Sequence, residues 1–176
     1  MYVVTDEHDF RKHLSLDLTA SAQTNQIQVS QPVITYLAEM LAGYLHTNAL
    51  FRSYEFGDLK REKMLTPLSL FDRTARTDTP KLKRIKAQMI GDECLFLLSL
   101  FYERIARDGQ GQVNLHRNLG RGAYDYLSTD NSSIFWELAR DFDDISQVVR
   151  DIEQAKRIES MLKKRIEMAA HSLIYS

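Results

Sequence analysis

Apolar residues recur at helical spacing along most of the chain. From about Gln31 to Ser53 they stand three and four residues apart, and Pro32 suits the first turn of a helix. The pattern predicts an amphipathic core helix. Beyond Gly57, the segment 59–70 is weakly helical and contains Pro67. Since proline removes a backbone N–H and clashes with the preceding turn, we expect a connector there.

The strongest helical pattern begins at Thr79-Pro80. Threonine is a good N-cap and proline a good first residue, so we expect one helix over 80–107, ended by Gly109. Between Cys94 and Tyr102 this segment is apolar on every side. Because such a helix is surrounded by partners, we expect 80–107 to be the central helix of the fold.

Two more helices follow. A shorter one is predicted over Asn114–Ser128, where Gly120 and Gly122 indicate close contact with a neighbouring helix. A long C-terminal helix begins near Ser132 or Ser133, with apolar steps of three and four. The spacing of the apolar residues changes near Ala155, so the sequence allows either one long helix or two helices joined there.

The first thirty residues carry a weaker pattern. The stretch 19–31 is rich in Ser, Thr, Gln and Asn, which is typical of a loop. We therefore expect residues 1–30 to form a partly irregular N-terminal arm, with a short helix over 6–13 and short strands at 2–4 and 27–29. Residues 31–176 would form one all-α domain, a bundle of about five to seven helices.

Composition places the chain among globular proteins. Its 176 residues are 44% hydrophobic and 27% charged, with a net charge of −1. These values exclude a disordered chain and a global field that attracts nucleic acid. The longest apolar run is far short of the roughly 20 residues that a spanning helix needs, so we expect no membrane association. Cys94 is the single cysteine and the N-terminus lacks a secretory pattern, so we expect a cytoplasmic protein.

Familiar catalytic and metal-binding motifs do not occur. No histidine follows a glutamate by three residues, as in di-iron helical bundles, and no Cys-x-x-Cys pair or Gly-rich phosphate loop is present. We therefore expect no metal, no cofactor and no catalytic residue.

One polar set on the central helix requires partners. Asp92 and Glu103 fall on one stripe of the predicted helix, and a buried carboxylate without a partner costs several kcal/mol. The next helix offers Arg117, Arg121 and Tyr124 on one face. The first interpretation is a buried ion-pair contact between two helices. The second is a polar pocket in which these five residues bind a small charged ligand.

A basic cluster lies at the start of the central helix, where the helix dipole disfavours positive charge. It comprises Lys81, Lys83, Arg84 and Lys86. One interpretation is a solvated or internally paired face. The other is contact with phosphate, nucleic acid or an acidic protein.

Three segments together resemble a group of uncharacterised bacterial all-helical proteins. They are Gly91-Asp92-Glu93-Cys94-Leu95-Phe96 with its continuation to Arg104, Leu119-Gly120-Arg121-Gly122-Ala123-Tyr124, and Phe135-Trp136-Glu137-Leu138-Ala139-Arg140-Asp141-Phe142. The resemblance covers about residues 31–153. The group tends to carry a Gly and a Pro before the glutamate, where this chain has Ser99 and Tyr102. The resemblance implies one helical domain in which Asp92, Glu103 and Tyr124 are neighbours, and it implies no activity.

Three functions follow from these patterns. The first is a non-catalytic cytoplasmic module that self-associates, as a dimer, or binds another protein through the C-terminal apolar seam or the arm. The second is a bundle whose polar pocket binds or turns over a small charged ligand. The third, less favoured, is nucleic-acid binding through the basic cluster.

Overall fold

Seven α-helices and no strand make up the part of the chain that the computed structural model describes, residues 7–46, 79–129, 131 and 133–152. The helices are α1 (Glu7–Thr24), α2 (Gln31–His46), α3 (Pro80–Leu100), α4 (Tyr102–Arg107), α5 (Gln110–Leu127), α6 (Ile134–Arg140) and α7 (Phe142–Arg150). The prediction of an all-α helical bundle is confirmed. The proposed connector over 59–70 and the end of the first predicted helix, residues 47–53, lie outside the described residues.

The second half of α3 is the centre of the core. Ile90, Gly91 and every residue over 94–100 are buried. This helix packs most extensively on α5, which runs antiparallel to it, so that Cys94 lies beside Gly120. The predicted central helix is thus confirmed over 90–100. Over 80–89 the expectation of an enclosed helix is wrong, because most of these residues are exposed.

The predicted single helix over 80–107 is two helices. Phe101 leaves helical geometry, with φ −121° and ψ 24°, and its buried side chain packs 6.2 Å from the ring of Phe96. The predicted Thr79 cap is confirmed, since its hydroxyl accepts from the N–H of Leu82. Gly109, with φ 107°, provides the turn into α5. That helix begins at Gln110, four residues before the predicted start.

The segment after Ser133 is also interrupted. Ser133 caps α6 by accepting from the N–H of Phe135 at 3.2 Å, as predicted. Asp141 then leaves helical geometry, with φ −106° and ψ 26°, so the long helix predicted from Ser133 is wrong over residues 133–152. The junction considered near Ala155 and the seam beyond Ile152 lie outside the described residues.

A helix occupies most of the N-terminal segment. On α1, Leu14, Leu18 and Ala22 recur every four residues and are buried, and the Ser21 hydroxyl donates to the carbonyl of Val148 on α7 at 2.8 Å. The loop predicted over residues 19–24 is therefore wrong, because one narrow apolar stripe suffices to hold a polar helix on the core. Residues 27–29 are not a strand, and residues 2–4 lie outside the described part.

Two glycines permit close helix contact. A Cβ atom on Gly120 would lie 2.6 Å from the ring of Phe142, and one on Gly91 would lie 2.6 Å from the ring of Tyr124. The close contact predicted at Gly120 is confirmed. That predicted at Gly122 is wrong, since nothing lies within 4 Å of a Cβ there.

Candidate functional site

A carboxylate on the central helix joins three helices. Oδ1 of Asp92 accepts a hydrogen bond from the hydroxyl of Tyr36 on α2 at 2.6 Å and from that of Tyr124 on α5 at 2.8 Å. The side-chain amide of Gln88, one turn before Asp92, donates to the Tyr36 hydroxyl at 3.0 Å. We call Tyr36, Gln88, Asp92 and Tyr124 the Asp92 cluster.

Aromatic packing fixes the two tyrosines. The fully buried ring of Tyr124 lies against Gly91, with the ring of Phe135 stacked 6.0 Å from it. Tyr36 meets the same Phe135 ring edge-on at 5.7 Å. Because both rings are held in this way, their hydroxyls converge on Asp92 without reorganisation.

Burial governs the ionisation of the cluster. It raises the pKa of Asp92 from its ordinary value of 3.8 to about 6, while the hydrogen bonds from Tyr36 and Tyr124 act in the opposite direction. Burial, together with the nearby Asp92 charge, also raises the pKa of both tyrosines. At neutral pH the hydroxyls therefore keep their protons and stabilise a carboxylate that has lost its own.

Only two of the five predicted ligand residues meet. Glu103 is exposed at the start of α4, and its backbone carbonyl accepts from Arg107 Nε at 3.3 Å. The interruption at Phe101 explains this, because Glu103 no longer continues the stripe that carries Asp92.

The two predicted arginines bind elsewhere. Arg117 donates through Nε to Asp143 Oδ1 at 2.6 Å, and the exposed Arg121 donates to the carbonyl of Ala139 at 3.2 Å. The arginine partners expected for Asp92 are therefore replaced by tyrosine hydroxyls.

A second, partly buried acid directly follows Asp92 on α3. Burial raises the pKa of Glu93 from 4.5 to about 7, and no hydrogen bond or ion pair reaches its side chain from the described residues. Burial raises the pKa of Tyr44 on α2, and the charges of Asp92 and Glu93 add to that increase. Sequence reasoning missed Glu93 because it directly follows Asp92 and lies off the stripe considered for that residue.

A surface feature lies on the first half of α3. Leu82, Ile85 and Met89 are 39%, 47% and 50% exposed, and their spacing of three and four residues places them on one face. Lys81 and Lys86 stand on either side of this row. We call these five residues the α3 face.

Of the remaining predicted cations, Lys83 is exposed. Arg84 donates to the carbonyl of Leu127 at 3.0 Å, near the end of α5, so it also serves the fold internally. Within the basic cluster, Arg84 thus makes an internal contact, whereas Lys83 lies on the surface.

No group of three or more metal-ligating side chains occurs among the described residues. None of the helices described is long and apolar enough to cross a membrane. Comparisons with protein-family models, with curated proteins and with solved structures give no match.

Proposed function

We propose that this protein is a non-catalytic protein-interaction module whose α3 face binds an amphipathic segment of a partner protein. The partner segment carries apolar side chains along one side and acidic side chains beside them. The observation that supports this proposal most directly is the row of half-exposed Leu82, Ile85 and Met89.

The row continues a face that is a helix-packing surface further along α3. Seven residues after Met89, Phe96 lies on the same face, fully buried and stacked 4.3 Å from the ring of Tyr44. Burial of a large apolar side chain is worth about 1.5–3 kcal/mol, so covering the row would contribute substantially to binding. Clustered exposed apolar side chains are typical of interaction sites.

Charge indicates the chemistry of the partner. Lys81, Lys83, Arg84 and Lys86 lie between Thr79 and Gly91 with no acid among them, and the positive end of the helix dipole adds to their field. A second copy meeting this face with its own would bring like charges together. Phosphates of a nucleic acid would neutralise the cations but leave the apolar row in water. An acidic amphipathic segment would both neutralise the cations and cover the apolar row.

The test uses two designed helical peptides of about 20 residues, with leucines at helical spacing in both. One carries glutamates beside the leucines and the other carries lysines. Fluorescence anisotropy should show tighter binding of the glutamate peptide, and its affinity should fall as salt is added. Equal binding of the two peptides, or binding of neither, would overturn the proposal.

Variants locate the surface. Replacing Ile85 and Met89 together by serine should weaken binding of the glutamate peptide at least about tenfold. Because both side chains are half exposed, the same change should lower the free energy of unfolding by no more than about 2 kcal/mol. Leu16→Ser, at an exposed leucine on α1, is the matched control and should bind as the parent does.

Other occupants of the α3 face give different results, and each would overturn the proposal. A free energy of unfolding that falls in the double variant by about 4 kcal/mol or more, as for two fully buried side chains, shows that the chain covers its own face. A dimer in sedimentation that the double variant abolishes shows a second copy. Duplex DNA that binds equally to parent and double variant, and displaces the peptide, shows a nucleic-acid surface.

Two sequence-based predictions accompany this proposal. Self-association through the C-terminal seam stays a prediction, since the seam beyond Ile152 lies outside the described residues. A reducing, cytoplasmic location also stays a prediction.

A further inference from the structure

A small pocket lies between α4, α5 and α7, away from both the Asp92 cluster and the α3 face. Its volume is about 170 Å³, which is room for about five or six water molecules. Its polar lining comes from Tyr102, Arg117, Asp143, Ser146, Gln147 and Arg150. Two guanidinium groups thus stand at one opening with a single carboxylate.

Arg150 has an unfulfilled hydrogen-bonding capacity. Its Nε is buried and has no hydrogen-bond partner in the described part of the chain. One terminal nitrogen donates to the carbonyl of Leu98 at 3.3 Å, and the guanidinium lies 4.1 Å from the centre of the Tyr102 ring. The ring stabilises the cation, but no carboxylate among the described residues pairs with it within 4 Å.

A carboxylate neutralises the charge of Arg117, whereas none does so for Arg150 among the described residues. Its Nε donates to Asp143 at 2.6 Å, and a terminal nitrogen donates to the Asn114 side chain at 2.9 Å. The Arg117–Asp143 pair therefore neutralises itself, and the pocket keeps one net positive charge, that of Arg150. Arginine is favoured wherever proteins recognise phosphate or carboxylate groups, so a guanidinium without an anion at the edge of a pocket indicates an oxyanion site.

We propose that this pocket binds a small oxyanion, a phosphoryl or carboxylate group, which pairs with the guanidinium of Arg150 where that group lines the pocket. The Ser146 hydroxyl lines the pocket as a further donor, as does Gln147, whose side-chain amide also donates to Asn25 at 3.2 Å. The volume suits a group of the size of phosphate or a short carboxylate. This proposal is independent of the one made for the α3 face.

The experiment measures binding of inorganic phosphate and of succinate to the full chain by calorimetry, with sodium chloride at equal ionic strength as the reference. We expect saturable binding of at least one of the two. Phosphate alone indicates a phosphoryl ligand, and succinate alone indicates a carboxylate ligand. Binding of neither beyond the chloride reference would overturn the proposal.

Variants assign the site. Arg150→Met keeps the length and packing of the side chain and should weaken anion binding about tenfold or more. Arg104→Met, at an exposed arginine of α4 that does not line the pocket, should leave it unchanged. Equal binding by parent and Arg150→Met would refute the assignment.

A second readout uses the parent chain, so it does not depend on the folding of a variant. In a ¹⁵N–¹H spectrum, the Nε–Hε resonance of Arg150 should move with anion concentration and reach a plateau, with the same dissociation constant as the calorimetry. A resonance that stays in place while the anion binds would place the ligand elsewhere.

Discussion

The hydroxyl of Tyr124 lies 2.8 Å from Oδ1 of Asp92, and among the described residues no basic side chain donates to that carboxylate. A neutral donor stabilises a buried carboxylate without adding a second charge to desolvate. The contact thus depends on pH through one group, Asp92, whose pKa is raised to about 6.

Asp92 should make the fold more stable in acid than at neutral pH. Its pKa is higher in the folded chain, so the folded state holds the proton more tightly than the unfolded state does. The stabilisation is complete below about pH 4 and is lost as the pH rises to about 6. The loss should be about 2–3 kcal/mol. Asp92→Asn, which keeps the acceptor oxygen, should flatten the dependence measured by denaturant unfolding from pH 4 to 8. If the free energy of unfolding of the variant falls with pH as steeply as that of the parent, Asp92 is not the group responsible.

Glu93 should add a second decline at higher pH. Its pKa is raised to about 7 by burial, so its contribution falls as the pH rises from about 4.5 to about 7. Glu93→Gln should therefore stabilise the protein at pH 8 by about 2 kcal/mol and have little effect at pH 4. Glu103→Gln, at an exposed glutamate, is the matched control. A Glu93→Gln protein that is less stable at pH 8 would show that the charge has a partner.

The tyrosine hydroxyls should matter most when Asp92 is ionised. Tyr124→Phe keeps the packed ring and removes one donor, so it should lower the free energy of unfolding by about 1–3 kcal/mol at pH 8 and by less at pH 4. Tyr126→Phe, at an exposed tyrosine of the same helix, should have little effect. If the changes in the free energy of unfolding caused by Tyr124→Phe and Asp92→Asn are additive in the double variant, the two groups do not interact as described.

Replacement by alanine should have opposite effects on stability at two glycines of α5. Gly120→Ala places a methyl group 2.6 Å from the Phe142 ring and should destabilise the protein by about 1–3 kcal/mol. Gly122→Ala meets nothing within 4 Å and should stabilise it by up to about 1 kcal/mol through helix propensity. Thermal unfolding compares the two, and equal effects would contradict the packing described here.

The fold could be predicted from sequence where periodicity and end signals coincide. Thr79-Pro80, Gly109 and Ser133 mark helix ends by local chemistry that holds whatever surrounds them. The interruptions at Phe101 and Asp141 could not be found in this way. Neither is a glycine or proline, and the Phe101 break accompanies the burial of its own ring, which only tertiary packing determines.

The candidate site was predictable only in part, for a related reason. That Asp92 needed a partner followed from its position on an apolar helix, and Tyr124 was among the residues proposed. Tyr36 is 56 residues away and has no charge to mark it as a partner. The exposed row of the α3 face was missed because Ile85 and Met89 have the spacing of core residues, and a pattern cannot show how far a neighbouring helix extends.

The Asp92 cluster also bears on how the molecule opens. Its hydrogen bonds link segments 56 and 32 residues apart, so separation of α2 or of α5 from α3 removes one of the two hydroxyl donors of the Asp92 carboxylate. Transient exposure of one of these helices therefore involves the others, and their slowest-exchanging amides should share a common protection factor.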